Sequence, residues 1–201
     1  MINSQSKVTM MVKGKAIVMV PGFIKKKFGE EGLIYWLSKI TPQARQVYDS
    51  KINVNHWYPF KEIFLEPTAN IAHLFYEWKS QPAAWDLGRY SADHRFAGLG
   101  KLLIKFPSPN FFINKSEEYL SDYYRPCELK IEENREGFAI VRIIYFPEID
   151  KTTEYRIGGW IERGLELNGC KDLRVDITKS LTQFDPYTEY TIHWRSKPKK
   201  N

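Results

Sequence analysis

Apolar residues recur every three or four positions through about the first 120 residues, the period of helices packed on one side. In "PGFIKKKFGEEGLIYWLSKI", Phe23, Ile24, Phe28, Leu33, Trp36 and Leu37 keep this spacing and predict a helix from Pro21, with Gly29 and Gly32 weakening its middle. Thr41 before Pro42 pairs an N-cap with a first-turn proline, so "TPQARQVYDS" predicts the next helix. "NVNHWYPF" reads as an aromatic loop, because Tyr58 precedes Pro59 and is steered away from helical angles. "FKEIFLE" and "TANIAHLFYEW" predict two helical pieces flanking Pro67. "QPAAWDLGRYSADHRFAG" and "SPNFFINKSEEYLSDYY" predict one helix each.

The period then changes. "CELKIEE" and "FAIVRIIYF" alternate or run apolar in the manner of strands, and "NREG" between them is a hairpin signal. "YRIGGWIERGLELNG" returns to helical spacing through Ile157, Trp160, Ile161 and Leu165, and Gly169 stands where a C-terminal cap belongs. "KDLRVDITKSL" and "YTEYTIHW" are strands again, separated by "TQFDP". The fold class expected is α+β: a helical N-terminal part followed by ββαββ, with a largely antiparallel four-stranded sheet covered by its helix. Residues 1–124 form the helical part, 125–195 the sheet with its covering helix, and 196–201 a basic tail. The first two are expected to make one compact unit.

Composition narrows the class. Of 201 residues, 43% are hydrophobic and 15% aromatic, which excludes a disordered chain. The formal net charge of +6 draws four charges from Arg195, Lys197, Lys199 and Lys200, and without them the balance is only +2. A nucleic-acid binder would spread its charge over a folded face, so a nucleic-acid partner is not expected. Cys127 and Cys170 form no CxxC and no disulfide framework, which fits a reducing compartment. No apolar run is long enough to span a bilayer, and a cytoplasmic location is expected.

The densest polar stretch is "DLGRYSADHRFAGLG". On a helix, Trp85, Gly88, Ala92, Phe96 and Leu99 make one apolar stripe, while Asp86, Tyr90, Asp93 and His94 project elsewhere. Arg89 and Asp93 stand at i,i+4 and read as an exposed pair on a solvated face. Asp93 and His94, being adjacent, point about a third of a turn apart and cannot easily share an ion. His56, His73, His94 and His193 are scattered, and His73 among Ile71, Leu74 and Phe75 reads as a packed histidine. No phosphate loop, dinucleotide fingerprint, nucleophile elbow or zinc motif occurs. The expectation is a protein that is not an enzyme, with no catalytic residues and no metal ligands. Aromatics beside glycines stand out instead, with Trp57, Tyr58 and Phe60 in one loop and Trp160 in "GGWIERG".

Taken in order, "VKGKAIVMVPGFIKKKFGEEG", "WYPF", "LGRYSADHRF", "YYRPCELKI", "GGWIERGLELNGCKDLRVDI" and "YTEYTIHW" resemble a bacterial, myxobacterial-type paralogous family of unknown function. More distantly, helices followed by ββαββ resemble haem nitric-oxide-binding and 4-vinyl-reductase-type ligand domains. That resemblance implies a sensory module with a buried cavity between its helices and sheet. The haem family's ligating histidine would fall in "SPNFFINKSEEYLSDYY", which has none. Its Tyr-x-Ser-x-Arg clamp is met by "YFPEI", with Tyr145 kept but Pro147 and Ile149 in the other places. The cofactor expectation is therefore none, with haem disfavoured.

These readings point to a non-catalytic domain that binds a small apolar ligand or fatty chain in bacterial signalling. Trp57, Tyr58, Phe60, Phe96 and Trp160 are the expected pocket walls, with Arg89 or His94 as a polar anchor at the rim. The alternative is a protein-interaction module, such as a homodimer or the docking site of a signalling partner, pairing through an apolar patch or an edge strand.

Overall fold

The computed structural model describes residues 8–97 and 108–195. Leu99 of the predicted stripe and the basic tail lie outside them. The first strand, β1 (Met11–Lys13), leads through a short turn into α1 (Val20–Lys39), which carries Pro21 in its first turn. Gly29 adopts φ +77° and divides α1 into two helical halves, so the weak middle of the pattern is a true kink. Thr41 caps α2 (Pro42–Tyr48) by accepting the Ala44 N–H at 3.2 Å.

The aromatic loop is in part a strand. β2 (Trp57–Pro59) pairs antiparallel with β1, Val12 opposite Tyr58, and β3 (Tyr124–Arg125) pairs on β1's other side, Val12 opposite Tyr124. Tyr58 is extended, as its position before proline requires, and the extension is used for pairing.

The break expected at Pro67 is absent. A π-helical turn, Lys61–Leu65, runs directly into α3 (Glu66–Phe75). Pro67 has no N–H for the turn below it, and the Tyr48 hydroxyl instead donates to the Ile63 carbonyl at 2.8 Å. The Pro67 carbonyl in turn accepts the Trp36 indole N–H at 2.9 Å, so the proline is held by two buried aromatics. α3 stops at Phe75, short of the predicted end, because Glu77 and Trp78 take left-handed φ values of 52° and 66°. His73 is exposed, not packed, and stacks on Trp78 with ring centroids 3.7 Å apart.

α4 (Ser80–Ala97) follows the prediction. The next helix is divided into α5 (Pro109–Asn114) and α6 (Ser116–Tyr123), since Lys115 leaves helical angles and the Ser116 hydroxyl donates back to the Ile113 carbonyl. Beyond β3 the expected order appears: β4 (Glu128–Arg135), β5 (Phe138–Tyr145), α7 (Lys151–Leu167), β6 (Lys171–Lys179) and β7 (Thr188–Arg195). The sheet is antiparallel throughout in the order β4-β5-β7-β6. Asp150 caps α7 by accepting the Thr153 N–H at 2.8 Å. Gly169, at φ +86°, closes α7 while the Cys170 N–H reaches the Leu165 carbonyl at 3.2 Å.

Alternate residues of β5 and β7, among them Ala139, Val141, Ile143, Ile192 and Trp194, face the core on which Ile157, Ile161 and Leu165 of α7 pack. Near its start α7 is tied to the β6–β7 connection by Glu154. This buried carboxylate accepts from the Ser180 hydroxyl at 2.7 Å, from Thr182 at 3.2 Å and from Thr188.

The face of α7 away from the sheet crosses α4 at backbone contact. A Cβ on Gly88 would lie 2.1 Å from the Arg156 carbonyl oxygen, and one on Gly159 would lie 2.3 Å from that of Trp85. Neither collision is with a side chain that can swing aside. Gly159→Ala is therefore expected to destabilise the protein by about 1–3 kcal/mol, and Gly88→Ala similarly. Thermal denaturation should read this as a loss of roughly 2–12 °C; an unchanged melting temperature would contradict the backbone contact.

Candidate functional site

A small, mostly apolar cavity of about 60 Å³ lies where α4, α5, α6, α7 and the start of the sheet converge. α5 and α6 supply Phe112, Ser116, Tyr119, Leu120 and Tyr123; Tyr124 and Leu129 close it from β3 and β4. α4 contributes Ser91, and α7 contributes Arg156, Ile157, Trp160 and Ile161. The Trp160 ring stacks on Phe112 at 5.5 Å and meets Tyr119 at 5.4 Å and Phe96 at 5.8 Å. A wider cleft of about 300 Å³ opens beside the first turns of α7, near Gln81, Thr178 and Ser180, but its walls are mainly polar and Glu154 within it is already hydrogen-bonded.

The predicted wall residues are distributed differently. Trp160 is in the cavity wall and Phe96 packs behind it. Phe60 is fully buried against Phe64, Tyr124 and Phe146, behind the cavity wall rather than in it. Trp57 lies on β2 beneath the Arg125 guanidinium at 4.1 Å, and the Tyr58 hydroxyl accepts the Asn53 N–H at 3.3 Å. His94 is exposed on α4.

Arg89 does not pair with Asp93, and the charged side of α4 is not simply solvated. Arg89 reaches across to α7, donating to both carboxylate oxygens of Glu166 at 3.0 and 2.7 Å and to Glu162. Arg163 returns the contact, with Asp93 at 2.7 Å and Glu166 at 2.8 Å, and the Trp85 indole N–H donates to Glu162 at 2.9 Å. The close approach set by Gly88 and Gly159 puts each arginine within reach of the opposite helix, so cross-helix partners replace the i,i+4 one.

The residue that single-sequence reading passed over is Arg156. It is 3% exposed and walls the cavity, yet among the described residues its hydrogen bonds run only from Nη2, to the Ala16 carbonyl and the Met19 sulfur. Burial pushes its guanidinium below the ordinary value. Its signal was present: an arginine one turn before Trp160 on the apolar side of a helix.

The thiols offer no reactive centre. Burial pushes both Cys127 and Cys170 up to about 12. Among the described residues no group of three His, Cys, Asp or Glu side chains could hold a metal ion, and no helix is long and apolar enough to cross a membrane.

This arrangement, a helical part over a ββαββ sheet with a cavity between them, has counterparts among solved structures. An H-NOX protein from S. oneidensis in the Fe(II)NO state aligns at a TM-score of 0.70 with 10% identity, over 92% of this chain and 99% of that one. A mutant of the S. oneidensis protein in the Fe(II) state aligns at 0.72, with 10% identity over 93% and 98% of the two chains. An unliganded Fe(II) H-NOX protein from K. algicida gives 0.65, with 13% identity over 94% and 100%. At these identities the likeness establishes an H-NOX-like fold. No family model and no curated protein matches the chain, so the resemblance to the bacterial paralogous set rests on its quoted motifs alone. The expectation of no cofactor, with haem set aside, is overturned by these neighbours, which are haem-binding proteins. The missing histidine and the unmatched propionate clamp at Pro147 and Ile149 were too narrow a ground for it.

Two predictions follow from the charges and the thiols. Burial alone would raise Glu166, but hydrogen bonds from Arg89 and Arg163 outweigh it and hold the carboxyl below its usual range. The stability it contributes is complete above the unfolded value of about 4.3 and is lost as pH falls through the lower folded value. Denaturant midpoints of the wild type should fall more steeply through that window than those of Glu166→Gln; parallel curves would contradict the assignment. At neutral pH, iodoacetamide should alkylate both cysteines far more slowly in the folded than in the unfolded protein, followed by mass spectrometry.

Proposed function

We propose that this protein is a non-catalytic sensory module that holds a small molecule in the cavity between α5–α6 and α7. The observation that carries the reading is the cavity itself: lined by aromatic rings, and walled by a buried arginine and a tryptophan whose Nη1 and Nε1 groups, respectively, lack hydrogen-bond partners among the described residues. Its position between helices and sheet, on an H-NOX-like fold, supports the same reading. Natural cores leave few buried donors unsatisfied, so such groups beside a void mark a place where something binds. Of the predicted contacts, the reading keeps Trp160 in the wall and Phe96 behind it.

Haem is the cofactor the fold implies. In donor chemistry the walls fit it: Arg156 would face a propionate, and Tyr119, Tyr123 and Tyr124 carry phenolic oxygens of the kind that ligate iron in some haem proteins. Burial raises the latter two phenols to about 12, so burial opposes their ionisation. Room for the ring would come from Trp160 and Phe112, whose stacked rings fill the space beside the cavity. The iron would supply an open coordination position when bound.

Native mass spectrometry of the freshly purified protein, followed by titration with haemin, tests the proposal. One small molecule per chain, or an intense Soret band saturating at one haemin per chain, is the expected result. Ser116→Phe, which fills the cavity, should abolish either. A protein that carries no ligand, takes up no haemin and binds none of a set of small apolar probes would overturn the reading.

A further inference from the structure

The chemistry of the ligand can be read from the two unsatisfied donors. Arg156 forms no ion pair with a carboxylate among the described residues, and its guanidinium lies 4.5 Å over the Phe64 ring with Nη1 left without a partner. One turn along α7, Trp160 Nε1 is also buried without a partner among the described residues. At i,i+4 the two residues share a helix face, and both wall the same cavity. The arginine is a buried cation whose charge is not balanced nearby, and such a group is costly to retain unless something compensates it. A carboxylate answers both donors at once, because it only accepts hydrogen bonds and carries the missing negative charge.

Size limits the rest of the molecule. A water-sized group occupies roughly 10–15 Å³ on the scale used for such voids, so about 60 Å³ admits a handful of heavy atoms. With Trp160 and Phe112 stacked as they stand, a short acid fits, with its methyl and methylene groups among Phe112, Leu120 and Ile161.

We infer that the cavity binds a short-chain carboxylic acid, its carboxylate held by Nη1 of Arg156 and the indole N–H of Trp160. This rests on reading the cavity as a ligand site. The test titrates nitrogen-15-labelled protein with propanoate and, separately, with 1-propanol at neutral pH, following the Trp160 indole resonance assigned through Trp160→Phe. Propanoate should shift that resonance saturably and bind at least tenfold more tightly than the alcohol. Arg156→Met should abolish the preference for the acid, and Arg156→Lys should retain part of it. Equal binding of acid and alcohol would overturn the acid assignment while leaving the cavity a ligand site. No response to either would overturn the acid assignment, and the ligand site itself falls if haemin and the apolar probes also fail to bind; because these arms use the wild type, the outcome stands even if Arg156→Met fails to fold.

Discussion

The contact of α4 with α7 at the level of the main chain governs much of what surrounds it. Two residues without side chains, Gly88 and Gly159, let the carbonyls of Arg156 and Trp85 approach where any Cβ would collide. Helices that cross this closely bring long side chains from both flanks into one another's range. The arginines of each helix therefore find their acids on the other, and Trp85 adds an indole N–H to the same group. On the far side of the crossing, α7 is free to face the sheet with Ile157, Ile161 and Leu165.

The crossing also explains why a charged residue can sit inside. With its own carbonyl against Gly88, Arg156 has its guanidinium directed to the Ala16 carbonyl and the Phe64 ring. Its neighbour Glu154 is buried too, but the hydroxyls of Ser180 and Thr182 in the β6–β7 connection and of Thr188 at the start of β7 satisfy it. Two ionisable residues two positions apart on one helix thus have opposite fates, one fully answered by the protein and one open toward a void.

Much of the architecture was legible because it rests on long periodic runs. The change from helical to strand period near Cys127, the "NREG" turn and Gly169 as a cap all reflect local rules that tertiary packing did not override. The three-stranded sheet was not legible: β1, β2 and β3 are two or three residues long, too short to show alternation, and their partners are remote in sequence. Pro67 misled because its cost depends on who takes the orphaned carbonyl, and Tyr48, on another helix, does so. Of the residues expected in the walls, only some were legible as neighbours of the cavity. Trp160 beside its glycines pointed to the cavity, whereas Trp57, Tyr58 and Phe60 were grouped by adjacency although β2 and the turn after it send them in different directions. Arg89 was paired within its helix because a one-dimensional reading cannot see a helix lying alongside.

The bridged acids and arginines between α4 and α7 are half-buried, and ions in solution weaken such pairs far less than pairs standing free in water. Concentrated electrolyte will therefore do little to loosen this joint. Protons act on the Glu166 carboxylate directly, so this charged joint is salt-hard and acid-soft, and acidity rather than ionic strength is the lever that loosens it.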